Sequence, residues 1–327
     1  MLMPGSEHDL IERYFKHGGP SRNDVIVGIG DDGAVLQVPQ GKELVVSIDT
    51  LLAGVHFETG NDPQATGYKA MAVNFSDMAA MGADPAWATL SLALPGIDHG
   101  WLKGFSQGLF QLADQFGVQL VGGDLSHGPL AITIQVHGFV NAGKSLRRDT
   151  ARAGDQIYVT GTLGDAGLAL AIRNGGCPQP QTGYDYLCQR LDRPQPRVKE
   201  GIALQDVAHS AIDISDGLVC DLGHIIEASD VGATVYIDRI PVSPVFATFR
   251  KGESVRKWAD IAVSSGDDYE LCFTVDPRDQ ALLKERMSDI PYTCIGTIDA
   301  QPGLRCIMKN GTTFVPSSRG YDHFRDD

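Results

Sequence analysis

No apolar run in this chain approaches the ~20 residues that a membrane-spanning helix requires. Its opening stretch, MLMPGSEHDLIERYFK, carries acidic residues where a signal peptide would need an apolar core. Neither a membrane protein nor a membrane partner is therefore expected. A block of Lys or Arg is also missing, and nothing offsets the formal net charge of -14. A nucleic-acid binder needs a basic stripe, so nucleic acid is not an expected partner. The six cysteines (177, 188, 220, 272, 294, 306) include no C-x-x-C pair and no framework spacing. They read as thiols in a reducing compartment, and a cytoplasmic location is expected. Strict repeats and low-complexity tracts are absent as well.

What is present is ordinary globular composition, 43% hydrophobic and 21% charged, over 327 residues, enough for two domains. A short helix is expected at His8 to Lys16, followed by strands at 25–29, 34–38 and 44–48. Tyr68, Met71, Phe75 and Met78 step by three and four, predicting a core-facing stripe on a helix over 63–82, with Asp77 on the side away from it. A strand at 87–94, a helix at 99–116 and strands at 118–124 and 130–140 follow. Beyond Ala153 strands at 156–161, 211–215, 233–238 and 269–275 alternate with helices at 164–173, 197–208, 217–228 and 277–288, before short final strands. The polar segment NAGKSLRRDTARAGD separates the halves. Consecutive strands without simple β-α-β spacing point to an α+β architecture rather than a doubly wound sheet.

Two patterns point at phosphate. Gly138, Gly143, Lys144 and Ser145 spell G-x-x-x-x-G-K-S, and GIGDDG over 28–33 spells G-x-G-x-x-G. A phosphate-binding loop must open a helix, yet Leu146 is the only large apolar residue between Lys144 and Gly154. Such a segment has no stripe to pack, and a chain with 38 glycines matches glycine patterns readily. In GIGDDG, Asp31 and Asp32 occupy the approach a pyrophosphate would need, and AVLQVPQGKELVVSID after it reads strand-turn-strand. Neither pattern survives its structural context. The carboxylates remain as the signal.

Asp31, Asp32, Asp49 and Asp124 each follow a strand signal; Asp213 and Asp216 sit in AIDISDG, and Asp77 lies on the 63–82 helix. Each alone has the bland reading of a turn or helix cap. As a set they suit magnesium, which takes oxygen ligands and bridges carboxylates to nucleotide phosphates, and without cations so many carboxylates could not all stay ionised together. The residues thus support a magnesium-dependent enzyme acting on phosphates. His137, inside a strand, reads as structural, Trp87, Trp101 and Trp258 as packing residues, and His8, His99 and His127 as solvated.

The motifs GIGDDGAV, SIDTLLAGVHF, KAMAVNFSDMAAMGADP, LVGGDLSHGPLAITIQVHG, DISDGL, SSGDDYELCFTV and RGYDHF, in order between about residues 7 and 324, resemble the thiamine-monophosphate kinase family. That family belongs to the superfamily of aminoimidazole ribonucleotide synthetase and selenophosphate synthetase. The resemblance implies a two-domain α+β chain, with an N-terminal mixed α/β domain (1–148) for metal and ATP binding and dimerisation. A C-terminal α/β domain (149–327), of the aminoimidazole ribonucleotide synthetase-like type, would complete the active site. It implies a homodimer that transfers the γ-phosphoryl group of ATP to thiamine monophosphate. Several Mg2+ ions would be held by Asp32, Ser47, Ile48, Asp49, Asp77, Asp124, Asp213 and Asp216. ATP would meet Gly123, Asp124, Arg148 and Ser215, and thiamine monophosphate His56, Asp267 and Tyr321. No residue acts as a covalent or acid–base catalyst, because the acceptor is already an ionised phosphate oxygen. The family commonly has Thr where Ile48 stands, a position that would offer its carbonyl, Glu at Asp267 and Gly at Thr150. Alternatives are another ATP-dependent enzyme of the superfamily and, in a different class, a non-catalytic nucleotide sensor. The first cysteine at 177 and the ending HFRDD speak against the selenophosphate and hydrogenase-maturation members.

Overall fold

The structure is a computed structural model that describes residues 6–318, 320, 321 and 324. The chain forms two compact units, residues 1–78 with 83–143 and residues 79–82 with 144–327.

The first unit begins with helix α1 (Glu7–Tyr14), started by the Ser6 hydroxyl, which accepts the Asp9 N–H at 3.3 Å. Strands β1 (Val25–Val27) and β2 (Val35–Leu36) form a small antiparallel pair. Strands β3 (Lys42–Leu52), β4 (Asp84–Leu94), β5 (Gln119–His127) and β6 (Ala131–Asn141) form a sheet in the order β3-β6-β4-β5. Its pairs are antiparallel except β4 and β5, which run parallel around helix α3 (His99–Phe116). Helix α2 (Pro63–Ala80) crosses α3 so closely that a Cβ on Gly108 would lie 1.8 Å from the Gln64 carbonyl oxygen. The stripe Tyr68, Met71, Phe75 and Met78 is buried as expected, but so is the rest of α2: between 65 and 80 only Asp77 is not fully buried. The helix is enclosed on all sides rather than amphipathic. His137 is half-buried, with its ring 6.4 Å from that of Trp87, and burial pushes the imidazole pKa down. Trp87 itself is buried and donates from Nε1 to Asp24 at 2.9 Å.

The second unit is built on a seven-stranded sheet. Its elements are β7 (Gln156–Thr160), α4 (Asp165–Arg173), α5 (Tyr184–Asp192), α6 (Val198–Ala203), β8 (Ser210–Asp213), α7 (Leu218–Ala228) and β9 (Gly232–Tyr236). Then come α8 (Pro244–Gly252), α9 (Val255–Ser264), β10 (Leu271–Val275), α10 (Gln280–Arg286), β11 (Tyr292–Asp299), β12 (Gly303–Ile307) and β13 (Thr313–Phe314). The strand order is β13-β12-β9-β11-β7-β10-β8, with β12 and β9 parallel and the other neighbours antiparallel. Apolar residues of α4, α7 and α9 cover it around Phe246, Ile225 and Val263.

Three helices went unread in the sequence, although two carried start signals. Ser243 caps α8 by accepting the Phe246 N–H at 3.1 Å, with Pro244 in its first turn, and Ser254 caps α9 by accepting from Lys257 at 3.3 Å. Helix α5 follows the loop-like TGYD, where Gly183 supplies a left-handed N-cap. Helix α6 stops at Ala203, short of the expected 208, because the chain turns there to reach the Thr274 carbonyl through the His209 N–H.

Candidate active site

In the first unit β3 sets the geometry by alternation. Ser47 and Asp49 share one face of the strand, while Leu44, Val46, Ile48, Thr50 and Leu52 are exposed on the other. The Ser47 hydroxyl donates to the Asp77 carboxylate of α2. Asp49 and Asp124 were expected at strand ends, yet both lie inside long strands, so register rather than strand termination places them. Asp49 pairs with Ile134, which pairs with Leu90 and so with Gly123. Asp124 pairs with Ser91, then Thr133 and Thr50, the neighbouring row that bears the exposed face. Adjacent rows point to opposite faces. Register therefore keeps Ser47 and Asp49 on one face of β3 and sets Asp124 in the neighbouring row.

A cavity of about 640 Å³ brings together a different set: Asp31, Asp32, Gly123 and Asp124, with Glu12 and Lys16 of the N-terminal segment. The Asp32 N–H donates to Asp31 Oδ1 at 2.9 Å, folding GIGDD on itself. No helix follows the loop; β2 and β3 do, as the sequence implied. Gly123 has φ +149°, and a Cβ there would lie 1.8 Å from the Leu90 carbonyl oxygen, so no other residue fits the bend before Asp124. His56 is half-buried, its Nδ1 accepting the Leu52 N–H at 2.9 Å and its carbonyl oxygen accepting from Lys69 at 3.4 Å.

In the second unit the loop between β8 and α7 organises the residues. Asp213 ends β8. The Asp267 N–H donates to the Ser215 carbonyl oxygen at 2.9 Å, and the Tyr321 N–H donates to that of Asp216 at 3.1 Å. Ser215, Asp216, Asp267 and Tyr321 thus converge. Asp267 and Tyr269 both have left-handed φ (66° and 50°), uncommon for such side chains, and the Tyr269 hydroxyl donates to Asp267 at 3.2 Å. Asp221, one turn into α7, accepts from the Asp216 and Gly217 N–H groups at 3.1 and 3.0 Å. Burial, and then the charges of Asp213 and Asp216, push its carboxyl up to about 8. Arg148 lies on an exposed segment whose carbonyl oxygen accepts from Ser229 at 2.8 Å. Lys144 pairs with Asp206, and no helix follows it, so the G-x-x-x-x-G-K-S match is not a phosphate-binding loop. Arg319, Asp322 and His323 of RGYDHF lie outside the described residues.

Family models of AIR synthase related proteins match the chain twice, the N-terminal domain over residues 30–140 and the C-terminal domain over 152–309. Over 325 residues the chain is 46% identical to thiamine-monophosphate kinase of Escherichia coli K12, spanning 98% of this chain and 99% of that protein. The chain belongs to the thiamine-monophosphate kinase family. The crystal structure of thiamine-monophosphate kinase from Stenotrophomonas maltophilia K279a superposes with a TM-score of 0.81 at 43% identity, covering 87% of this chain and 92% of that one. A structure of AaThiL complexed with AMPPCP and TMP gives 0.76 at 30% identity, covering 90% and 92%. The two-domain α+β reading holds.

Reading motifs alone missed what supports the SSGDDYE segment in this family member. Asp267 is half-buried, whereas Asp268 and Glu270 are buried. Both oxygens of Asp268 accept the Gly164 N–H at 3.0 Å, and burial raises its carboxyl well above the usual range. Glu270 accepts from Arg197 Nε and Nη2 at 2.6 Å, Arg190 Nη2 at 2.9 Å and Thr160 Oγ1 at 2.7 Å. Burial would raise Glu270, but the two guanidiniums and the hydroxyl outweigh it and hold the carboxyl below its ordinary value. The available signal was an acidic residue directly before the apolar strand LCFTV, matched by Arg190 and Arg197 flanking LDRPQP.

Proposed function

We propose that this chain catalyses the ATP-dependent phosphorylation of thiamine monophosphate to thiamine diphosphate. The observation that carries the reading is near full-length identity of 46% to thiamine-monophosphate kinase of Escherichia coli. The complex of the 30%-identical AaThiL with AMPPCP and TMP agrees with these co-substrates.

The donor set fits magnesium: carboxylates and one hydroxyl, all hard oxygens, with Ser47 already bonded to Asp77 and Asp31, Asp32 and Asp124 open to one cavity. Asp32, Ser47, Asp49, Asp77, Asp124 and the Ile48 carbonyl would hold Mg2+ in the N-terminal domain (1–148), and Asp213 and Asp216 would do so in the C-terminal domain (149–327). When bound, such ions neutralise charge on the triphosphate and the developing transition state. Gly123, packed against the Leu90 backbone at the bend before Asp124, contacts ATP together with Asp124, Arg148 and Ser215. His56, Asp267 and Tyr321 contact thiamine monophosphate. Transfer between two anions demands positioning and charge neutralisation, and the acceptor oxygen is already ionised, so no side chain need remove a proton.

The functional unit is a homodimer. Supporting this, Leu44, Val46, Ile48 and Leu52 form an apolar stripe on edge strand β3, each 40% or more exposed. An exposed apolar edge strand invites a partner strand. We place the protein in the cytoplasm: among the described residues no helix is long and apolar enough to cross a membrane, and none of the six cysteines forms a disulfide.

The test is thiamine diphosphate formation by purified protein from thiamine monophosphate and ATP, with and without Mg2+, beside free thiamine as acceptor. Mg2+-dependent product from the monophosphate alone is expected. ATP binding without product would assign the chain to a nucleotide sensor or another superfamily activity.

A further inference from the structure

Helix α7 carries a second, chemically different set of ligands. Cys220 and His224 are one turn apart and therefore share a face. Cys220 Sγ lies 3.8 Å from His224 Nε2, and with a carboxylate oxygen of Asp221 all three ligand atoms fall within 4.8 Å of one another. Among the described residues this is the one set of three such groups so close together; no three of the aspartates discussed above meet the same limit. A tetrahedral zinc-class ion, with bonds of about 2.3 Å to sulfur and 2.0 Å to nitrogen, spans a sulfur–nitrogen distance of roughly 3.5 Å. The observed 3.8 Å needs only a small rotamer adjustment.

We propose that Cys220, His224 and Asp221 bind one thiophilic divalent cation of the zinc class, at a site distinct from the magnesium ligands. Thiolate and imidazole select against magnesium, which prefers an all-oxygen octahedron. Access is open from one side, where His224 is exposed, and partly closed from the other by the chain near its C-terminus. There a Cβ on Gly320 would lie 2.6 Å from Cys220 Cβ. Asp221 keeps its role in holding the Asp216–Gly217 turn, because Oδ2 alone takes both N–H groups. A water molecule would fill the fourth position.

Cobalt(II) is the probe, added to the metal-free full chain in excess Mg2+ and followed by absorption spectroscopy. One equivalent should produce a thiolate-to-cobalt charge-transfer band in the near ultraviolet together with intense visible bands of tetrahedral geometry. Cys220→Ser and Cys220→Ala should abolish the charge-transfer band. His224→Ala should weaken cobalt binding at least about 10-fold, since even changes in outer-shell partners cause such losses. One equivalent of Zn2+ should bleach the spectrum, and Mg2+ should not. Circular dichroism establishes that each variant is folded. No charge-transfer band, a band that persists in folded Cys220→Ser, or one removed by Mg2+ overturns the assignment. The readout is independent of kinase turnover, so its failure is distinct from failure of the proposed function.

Discussion

Glu270→Gln removes one negative charge from the buried end of the SSGDDYE segment while keeping the side chain's size. Glu270 is fully buried, and its carboxylate is the shared acceptor for Arg197 and Arg190, which are themselves only 16% and 12% exposed. The amide can accept at one oxygen only, and its NH2 group turns a donor towards one of the guanidiniums. Two largely buried cations lose their common counter-charge, and removing one partner of a buried pair costs about 3–5 kcal/mol. At about 2–4 °C per kcal/mol for a domain of this size, the melting midpoint should fall by roughly 6–20 °C. The pH dependence carries the sign. A carboxyl held below its ordinary value contributes stability that is fully present above that ordinary value and is lost as pH falls through the depressed folded value. The wild-type protein should therefore lose this increment in acid, and Glu270→Gln should lack that part of the acid transition. Thermal and urea unfolding followed by circular dichroism, at neutral pH and across the acid limb, measure both effects. A loss below about 1 kcal/mol, the scale of an exposed ion pair, would show that the cluster is not what anchors the segment.

Asp77→Asn should abolish most Mg2+-dependent turnover, at least about 100-fold by analogy with loss of one electrostatic group at a reaction centre, whereas Lys144→Ala should leave it within about twofold. Lys144 and Asp206 are both about half exposed, so their pair contributes about 0–1 kcal/mol. Steady-state rates decide, and the reverse ordering would restore the phosphate-loop reading. Val46→Glu places a charge in the exposed stripe of β3 and should weaken the proposed homodimer, read as a shift towards monomer in sedimentation velocity; association equal to that of the wild type would locate the contact elsewhere. In metal-free protein Asp221 has a folded value pushed up to about 8, so ionising it costs stability as pH rises from the ordinary carboxylate value towards 8. Asp221→Asn keeps an oxygen for the two N–H groups and should flatten that slope in unfolding midpoints measured with chelator. An unchanged slope would mean the carboxyl is ionised in the fold.

Much of this molecule was written locally. The seven motifs, the alternation of strands and helices, and the failure of both glycine patterns follow from residue order alone. A loop of the chain either precedes an apolar-striped helix or does not: β2 and β3 follow GIGDDG, and no helix follows Lys144. Periodicity also identified the buried residues of α2, although not that its other sides would be enclosed, because enclosure depends on the sheet and on α3. Start signals at Ser243 and Ser254 were present but weak, since a capping hydroxyl and a turn hydroxyl look alike until the following N–H groups are placed.

Tertiary structure alone decided the rest. Asp49 and Asp124 look equivalent in sequence, yet register puts them in neighbouring rows of one sheet, and a one-residue step exchanges faces. Convergence of Ser215, Asp216, Asp267 and Tyr321 rests on backbone hydrogen bonds between segments more than 50 residues apart. The Glu270 cluster joins residues 160, 190, 197 and 270, whose charges acquire strength only once folding removes water from around them. Local pattern determines element type and motif identity because those depend on near neighbours. Facing, burial and ion pairing belong to the fold, because they depend on what the rest of the chain excludes.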